Sequence, residues 1–399
     1  MKKNILGPRS ILMFVVVMLL IVVIIFWGSR FPFKLVDFSV NWSAGSLLLE
    51  GKNPYDPDQM LIKGQTTGPN LVNANMMQYW YPPWALSISI LVGAISYQTS
   101  QLVWLLLSIG IICFCTTTLW QQNQGDQRSR WFAWFVALTF TPALYALVFG
   151  QFNPLVLLGI TGFLVLVRRG SPKADLFSGI FLGLCAIKPA LLYLFWLALL
   201  LWCLSEHRYR VLVGLSLAIV GGTLISMMFR PGIPLDYLQF VKAAAVTNWK
   251  VPTIGFWLRN FWGLHYVFLQ YIPVVIGLIW LLVHWILHRR HWDWLQQISW
   301  LSFMSLITTV FAWSHDQVIL IPAILEAAFL IRSHAKSFPV KIILLLAWLA
   351  FMIFIFIAHL TRDDSWFVWQ APALLLTYAL AKHYFSAHIV EDNSKLLLD

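Results

Sequence analysis

The chain has very few charged residues. Only 11% of its 399 residues are Asp, Glu, Lys or Arg, and 60% are hydrophobic, whereas about a quarter of the residues of a soluble domain are charged. Its apolar runs of roughly 15 to 20 residues suit helices that cross a hydrocarbon core of about 30 Å, and the ten-residue alternation of a membrane β-barrel is missing. The sequence therefore predicts an all-α polytopic membrane protein.

Motifs of several other protein classes are also missing. The 4 cysteines lie inside hydrophobic runs without a CxxC spacing, so we expect them to pack as small apolar residues rather than to form a disulfide or bind a metal. Gly-rich phosphate loops are absent, which leaves a nucleotide-sugar site without support. The net charge of +11 comes from short basic clusters between apolar runs, which is typical of orienting membrane loops and not of nucleic-acid binding.

These basic clusters predict the topology. Lys2, Lys3 and Arg9 place the N-terminus in the cytoplasm. If the run from Tyr81 to Ser96 is a juxtamembrane helix on the outer face, most of the 27 Lys and Arg residues lie in cytoplasmic loops; if it spans, nearly every basic pair is exported. We therefore expect about twelve transmembrane helices with both termini in the cytoplasm. Their approximate ranges are 11–27, 101–120, 131–149, 154–167, 174–188, 190–204, 211–229, 271–287, 295–312, 318–331, 341–359 and 367–383.

Two long segments are expected outside. Residues 28–80 carry Pro, Gly, Asn and Asp punctuation around a short helix at 41–49, which predicts a structured first outer loop. Residues 230–270 are rich in Trp and Pro, as expected of a segment at the membrane interface. The remaining organisation is one transmembrane domain over 1–390 and a short polar cytoplasmic tail over 391–399.

Three charged residues are candidates for chemistry. Asp37 follows the first predicted helix in an apolar context, which suits a proton acceptor; alternatively it is an interfacial charge that ends the helix. Lys188 lies between two apolar runs, where it must either reach the interface or meet an anion such as a phosphate. Arg259 is a second candidate cation, since a guanidinium suits bidentate phosphate contacts.

Polar outer turns supply further candidates. Gln151 and Asn153 stand in one turn, where their amides could bind sugar hydroxyls or, for Asn153, cap the next helix. His315 and Asp316 follow Ser314 directly; consecutive residues point in different directions, so a hydrolase triad is improbable and a positioning role or a mutual pair is favoured. Asp37, His315 and Asp316 are metal-ligand types, but no spacing specifies a metal site.

Six stretches in this order resemble one known family. They are Asp37 with Trp42-Ser43-Ala44-Gly45, Gly51-Lys52-Asn53-Pro54-Tyr55-Asp56, Tyr81-Pro82-Pro83, Gly150-Gln151-Phe152-Asn153, Ala186-Ile187-Lys188-Pro189 and Trp313-Ser314-His315-Asp316-Gln317. Over roughly residues 35–330 the chain resembles glycosyltransferase family 87, the polyprenyl-phosphate-mannose-dependent mannosyltransferases of the GT-C fold known from mycobacterial phosphatidylinositol mannoside synthesis. One departure is that the family pattern often has His after Asp, whereas here His315 precedes Asp316.

The resemblance implies a membrane enzyme of a bacterial inner membrane whose active site faces outward. It implies Asp37 as general base on a glycolipid or glycan hydroxyl, and a polyprenyl-phosphate sugar as donor, inverted by direct attack. Lys188 and Arg259 are then candidates for binding the lipid phosphate, and Tyr55, Tyr81, Gln151, Asn153, His315 and Asp316 for positioning substrate. Neither a metal nor another cofactor is expected, because side-chain cations can balance one phosphate.

The alternative function is a transporter of lipid-linked glycans or small solutes without catalysis. A transporter typically shows several ionisable residues within its spans and broken helices in matching halves. Glu326 is the acid expected in mid-helix, and we interpret it as a packed polar group, which disfavours transport.

Overall fold

A computed structural model describes residues 36–67, 77–243, 249–334 and 338–396 of the chain. The first predicted helix, at about 11–27, lies outside the described residues. Within them every regular element is helical and no strand occurs, which confirms the all-α class. The α-helices are α1 Val36–Leu49, α2 Pro57–Gln65, α3 Pro83–Gly93, α4 Tyr97–Gln122, α5 Arg130–Thr139, α6 Thr141–Phe149, α7 Asn153–Val167, α8 Pro172–Cys185, α9 Tyr193–Ser205, α10 Tyr209–Phe229, α11 Ile233–Ala243, α12 Ile254–Trp262, α13 Ile272–His288, α14 Trp294–Thr308, α15 Ile321–His334, α16 Phe338–His359 and α17 Gln370–Leu396. The 3-10 helices are Gln127–Ser129, Pro189–Leu192, Val267–Tyr271, Arg289–His291, Ser314–Leu320 and Asp364–Trp369.

Several of these helices are long and apolar enough to cross a membrane. Five qualify among the described residues, or six if the bent pair α5 and α6 counts as one span. The five are Tyr97–Gln122, Tyr209–Phe229, Val267–His291, Ser314–Ser333 and Pro339–His359. Three shorter apolar segments, Pro83–Gly93, Asn153–Val167 and Pro189–Ser205, are too short to reach across about 30 Å unaided. A polytopic helical membrane protein is thus supported, and the count of twelve spans stays a prediction.

The predicted helix over 131–149 is in fact two helices. The axes of the segments before and after Phe140 differ by 67°, and Phe140 itself has extended backbone angles. Pro142, in the first turn of α6, has no N–H to donate and its ring would clash with the preceding helical turn. The break also frees the Thr141 hydroxyl to donate to the carbonyl of Met352 at 2.7 Å.

Small residues let helix backbones touch. At the crossing of α1 and α3, a Cβ on Gly45 would lie 1.8 Å from the carbonyl oxygen of Ser89, and one on Gly93 would lie 2.3 Å from the backbone nitrogen of Ser46. The pair α8 and α10 meets in the same way, because a Cβ on Gly179 would lie 2.0 Å from the carbonyl oxygen of Val211. Such contacts are the usual device of membrane helix packing.

Helix α1 is longer than the predicted short helix at 41–49. Its first described turn, from Val36, includes Asp37. The opposite end of the chain also differs from expectation, because α17 continues to Leu396 through most of the predicted polar tail.

The described core has two parts. The larger cluster fills the helix bundle, and the smaller one joins α1, α2, α3 and α11 in a layer beside it. Tyr81 packs against both clusters. The junction between bundle and layer is therefore where residues of α1 and of the segment before α3 can meet residues of the bundle.

Candidate active site

Asp37 meets the turn between α6 and α7 at this junction. Gly150 in that turn has a φ of +66°, and a Cβ there would lie 2.5 Å from the Cβ of Phe38. Only glycine adopts this backbone conformation without strain and leaves this space free. The turn can therefore approach the first turn of α1, and the side chain of Gln151 reaches Asp37.

The Gln151 amide is bonded on both sides. Its Nε2 donates to Asp37 Oδ2 at 2.5 Å. Its Oε1 accepts from the Tyr81 hydroxyl at 2.9 Å and from Lys188 Nζ at 2.8 Å. One amide thus holds the predicted base, the tyrosine just before α3 and the predicted cation in a single arrangement.

Lys188 also forms an ion pair with Asp316. Its Nζ lies 2.7 Å from Asp316 Oδ1, and the two side chains are only 12% and 4% exposed. The ammonium lies 5.7 Å from the centre of the Tyr81 ring, which adds a cation–π contact. Lys188 therefore meets protein acceptors rather than extending to water as in the snorkelling alternative.

Asp316 is held by the start of the 3-10 helix Ser314–Leu320. Its Oδ2 accepts from the backbone N–H of Trp313 at 2.8 Å, so both carboxylate oxygens have a partner. Asn153 approaches the same helix from α7, donating from Nδ2 to the carbonyl of His315 at 2.6 Å. No side chain caps α7, so Asn153 joins two turns instead of capping its own helix.

The Ser314, His315 and Asp316 side chains do not form a triad. Ser314 Oγ and His315 Nε2 are buried and make no hydrogen bond to any described residue. The nearest approach of the imidazole to the acid is 3.6 Å between His315 Nε2 and Asp316 Oδ1, which exceeds hydrogen-bond distance. The structure agrees with the argument against a hydrolase arrangement.

The two predicted tyrosines are linked to each other. The Tyr55 hydroxyl donates to the backbone carbonyl of Tyr81 at 2.9 Å, which fixes the chain just before α3. Burial raises the pKa of the Tyr81 phenol well above its usual value, and the charges of Asp37 and Asp316 raise it further. Tyr81 therefore stays neutral, and its O–H donates a hydrogen bond to Gln151.

Arg259 has a different set of partners. The buried guanidinium donates from Nη1 to Gln270 Oε1 at 2.6 Å and from Nε to the carbonyl of Leu264 at 3.1 Å. Gln270 in turn donates to the carbonyl of Val310 at 3.0 Å. These bonds fasten the loop after α12, and the role of Arg259 as a second phosphate cation stays a prediction.

One acid was overlooked by the sequence reasoning. Asp364, which is not among the candidates named above, accepts from the backbone N–H of Ser314 at 3.1 Å, and His359 Nε2 lies 3.3 Å from its other oxygen. In the sequence, Asp363 and Asp364 follow a long apolar run, and this pattern is equally typical of acids in an exposed loop. Asp364 thus supports the same turn as Asp316 from the α16–α17 side.

The group can divide the tasks of a transfer reaction. Asp37 supplies a carboxylate and Lys188 an ammonium, and one neutral amide separates them. An ammonium has three N–H donors, of which Gln151 and Asp316 take two. The described residues contain no group of three or more His, Cys, Asp or Glu side chains placed to hold a metal ion.

Comparison with known proteins gives one match. The sequence profile described as glycosyltransferase family 87 matches residues 79–314, more than half of the chain. This region contains Tyr81, Gln151, Lys188 and Arg259, whereas Asp37 and Asp316 lie outside it. Neither a curated protein nor a solved structure shows a significant match.

Proposed function

The chain belongs to glycosyltransferase family 87, and from this premise we propose that it transfers a sugar, mannose first among candidates, from a polyprenyl phosphate to a glycolipid or glycan hydroxyl. The observation that carries the proposal is the Gln151 amide, which holds Asp37 and Lys188 side by side. A glycosyl transfer needs these two groups together, one for the acceptor's proton and one for the leaving phosphate.

In the proposed reaction Asp37 takes the proton of the acceptor hydroxyl. The freed oxygen attacks the anomeric carbon of the donor sugar, the bond from that carbon to the phosphate oxygen breaks, and the electron pair leaves with the polyprenyl phosphate. A single displacement of this kind inverts the anomeric carbon. The proton stays on Asp37 until it passes to water.

Lys188 binds the lipid phosphate in this scheme. Its third N–H is available to a phosphate oxygen, because Gln151 and Asp316 accept from only two. A cation aimed at the developing charge of a leaving group stabilises the transition state, most strongly where water is excluded. Arg259 is the second candidate cation, and side-chain cations make a metal ion unnecessary for a single phosphate.

A lipid-linked donor also explains why the site lies in a membrane protein. The polyprenyl tail is confined to the bilayer, so the reaction must occur at its edge, with the tail in an apolar groove between helices. We propose the outer face of a bacterial inner membrane, with both termini in the cytoplasm. The support is the distribution of Lys and Arg along the chain, which the positive-inside rule relates to orientation.

The test is transfer by the purified protein offered a panel of polyprenyl-phosphate sugars. Asp37→Asn keeps an oxygen that can accept from Gln151, so donor binding should persist while the turnover number falls about a hundredfold to ten-thousandfold, the usual contribution of a general base. Asp58→Asn is the matched control, because Asp58 is an exposed acid of the same outer loop, and it should keep full activity.

Two results would contradict the proposal. Undiminished transfer by Asp37→Asn would remove Asp37 as the base. Movement of labelled lipid-linked glycan across reconstituted vesicles, without any new glycosidic bond, would instead identify a transporter.

A further inference from the structure

Three indole rings border the candidate site. Trp249 packs edge-on against Trp80, with ring centroids 4.5 Å apart, and its ring is tilted by 48° against that of Trp313, at 5.9 Å. We call Trp80, Trp249 and Trp313 the indole row. It joins three separate parts of the chain: the first outer loop, the segment before α12, and the turn before the 3-10 helix Ser314–Leu320.

Both ends of the indole row are joined to the site through the main chain. Trp80 directly precedes Tyr81, whose hydroxyl donates to Gln151. The backbone of Trp313 donates to Asp316, and its ring lies nearly parallel to the His315 imidazole, at 6.4 Å and 9°. The row is therefore connected to the site at Tyr81 on one side and at His315 and Asp316 on the other.

The three indoles differ from the core tryptophans of this protein. Trp104 and Trp120 are buried, whereas all three rings of the row are half-buried. Their indole N–H groups donate to no described residue and are not among the fully buried unpaired atoms. Each side chain is thus partly exposed and carries an indole N–H without a described acceptor.

We propose that the indole row binds the pyranose ring of the lipid-phosphate donor, an inference that rests on the proposed function. A pyranose has an apolar face of C–H groups, which packs on the electron-rich face of an indole, and a rim of hydroxyls, which needs donors and acceptors. The indole N–H groups meet the second need. Ser314 Oγ and His315 Nε2, buried and unpaired in the two residues after Trp313, are further polar atoms with which a sugar hydroxyl can pair.

The position of the row favours the donor's sugar over the acceptor's. Trp313 lies three residues from Asp316, and Asp316 pairs with Lys188, the residue proposed to bind the donor phosphate. Asp37, the residue proposed to meet the acceptor, is reached from the row only through Tyr81 and Gln151. A sugar attached to the phosphate at Lys188 would therefore contact Trp313 and Trp249 first.

Oxidative footprinting with mass spectrometry tests the row without an activity assay. The purified protein is oxidised alone, with polyprenyl phosphate, with polyprenyl-phosphate mannose, or with a glycolipid acceptor. We expect the mannose-bearing lipid to protect Trp249 and Trp313 and the lipid phosphate alone to leave them reactive. Trp262, which is 61% exposed on the same outer segment, is the matched control and should stay reactive in every sample. Equal protection by the lipid without sugar, or protection by the acceptor alone, would overturn the proposal.

Substitutions supply the second readout. Trp249→Ala and Trp313→Ala should each raise the KM for the donor about tenfold, the order expected for one lost stacking contact, while Trp249→Phe should recover part of this loss. Trp262→Ala should leave KM unchanged. Normal donor KM in the two alanine variants of an active enzyme would reject the row and leave the proposed transfer standing. Sugar-dependent protection in a protein that transfers nothing would reject the transfer and leave the row standing.

Discussion

At the residue scale, the pairing of Lys188 with Asp316 raises the question of whether the lysine is structural or functional. The pair is almost fully buried, and burying two charges is costly unless each satisfies the other. A structural lysine can be replaced together with its partner, whereas a phosphate-binding lysine cannot. The two roles can therefore be separated by a double substitution.

Lys188→Gln alone should destabilise the protein by about 3–5 kcal/mol, because it leaves the buried Asp316 carboxylate without a cation. The double variant Lys188→Gln with Asp316→Asn should regain most of this stability, since a neutral amide pair replaces the ion pair. Sugar transfer should stay lost in both variants, because neither has a cation for the phosphate. Thermal unfolding in detergent and the transfer assay measure the two effects.

The matched control for the lysine is Lys52→Gln. Lys52 pairs with Glu50 at 2.7 Å, but its side chain is 57% exposed, and surface ion pairs contribute little. Stability and transfer should both stay normal. A double Lys188 and Asp316 variant that transfers sugar normally would show that Lys188 has only a structural role.

At the scale of elements, the site depends on how closely the α6–α7 turn approaches α1. Gly150 and Gly170 share a left-handed backbone but differ in their surroundings. Gly150 has a φ of +66° and faces Phe38, whereas Gly170 has a φ of +63° and nothing within 4 Å of its missing Cβ. A substitution at Gly170 measures backbone strain alone, and one at Gly150 adds the contact with α1.

Gly170→Ala should cost about 1–2 kcal/mol of stability, the usual strain of this conformation, and should not affect transfer. Gly150→Ala should cost more and should also reduce transfer, because the new Cβ pushes Phe38, and with it Asp37, away from Gln151. Thermal unfolding and turnover of the two variants are the measurements. Equal loss of transfer in both variants would mean that the approach of the turn to α1 does not position Asp37.

At the scale of the whole molecule, orientation in the membrane decides which substrates reach the site. Gln65 at the end of α2 and Gln124 after α4 are both exposed, and α4 is a candidate span. A cysteine introduced at Gln65 should react with an impermeant maleimide added outside intact cells. One at Gln124 should react only after permeabilisation, with the parent chain as background. Reversed labelling would place the site on the cytoplasmic face and contradict the predicted orientation.

The sequence predicts the helical membrane class and the polar residues at the junction. Long apolar runs and charged residues beside them each correspond to a large transfer free energy between water and the membrane, so they are recognisable locally. A lysine or an acid next to apolar runs needs a partner, so Asp37, Lys188 and Asp316 were recognisable one by one. The hydrogen bonds and the ion pair between them were not predictable from the sequence. Lys188 and Asp316 lie 128 residues apart, and the packing of the helices decides which polar groups meet. The break at Phe140, by contrast, was predictable locally. Pro142 indicates a helix break, but the continuous apolar pattern of 131–149 favoured a single helix.

The Gln151 amide has one further consequence for a two-substrate enzyme. An amide neither gains nor loses a proton near neutral pH, and only one orientation suits its neighbours, with oxygen toward Lys188 and Tyr81 and nitrogen toward Asp37. If Asp37 also touched Lys188, the ammonium, which already pairs with Asp316, would have two carboxylates as partners and would be less available to an anion. The amide keeps the two charged groups apart without carrying a charge itself. In the proposed reaction Asp37 can therefore serve the acceptor and Lys188 the donor within the same turnover, because neither is paired with the other.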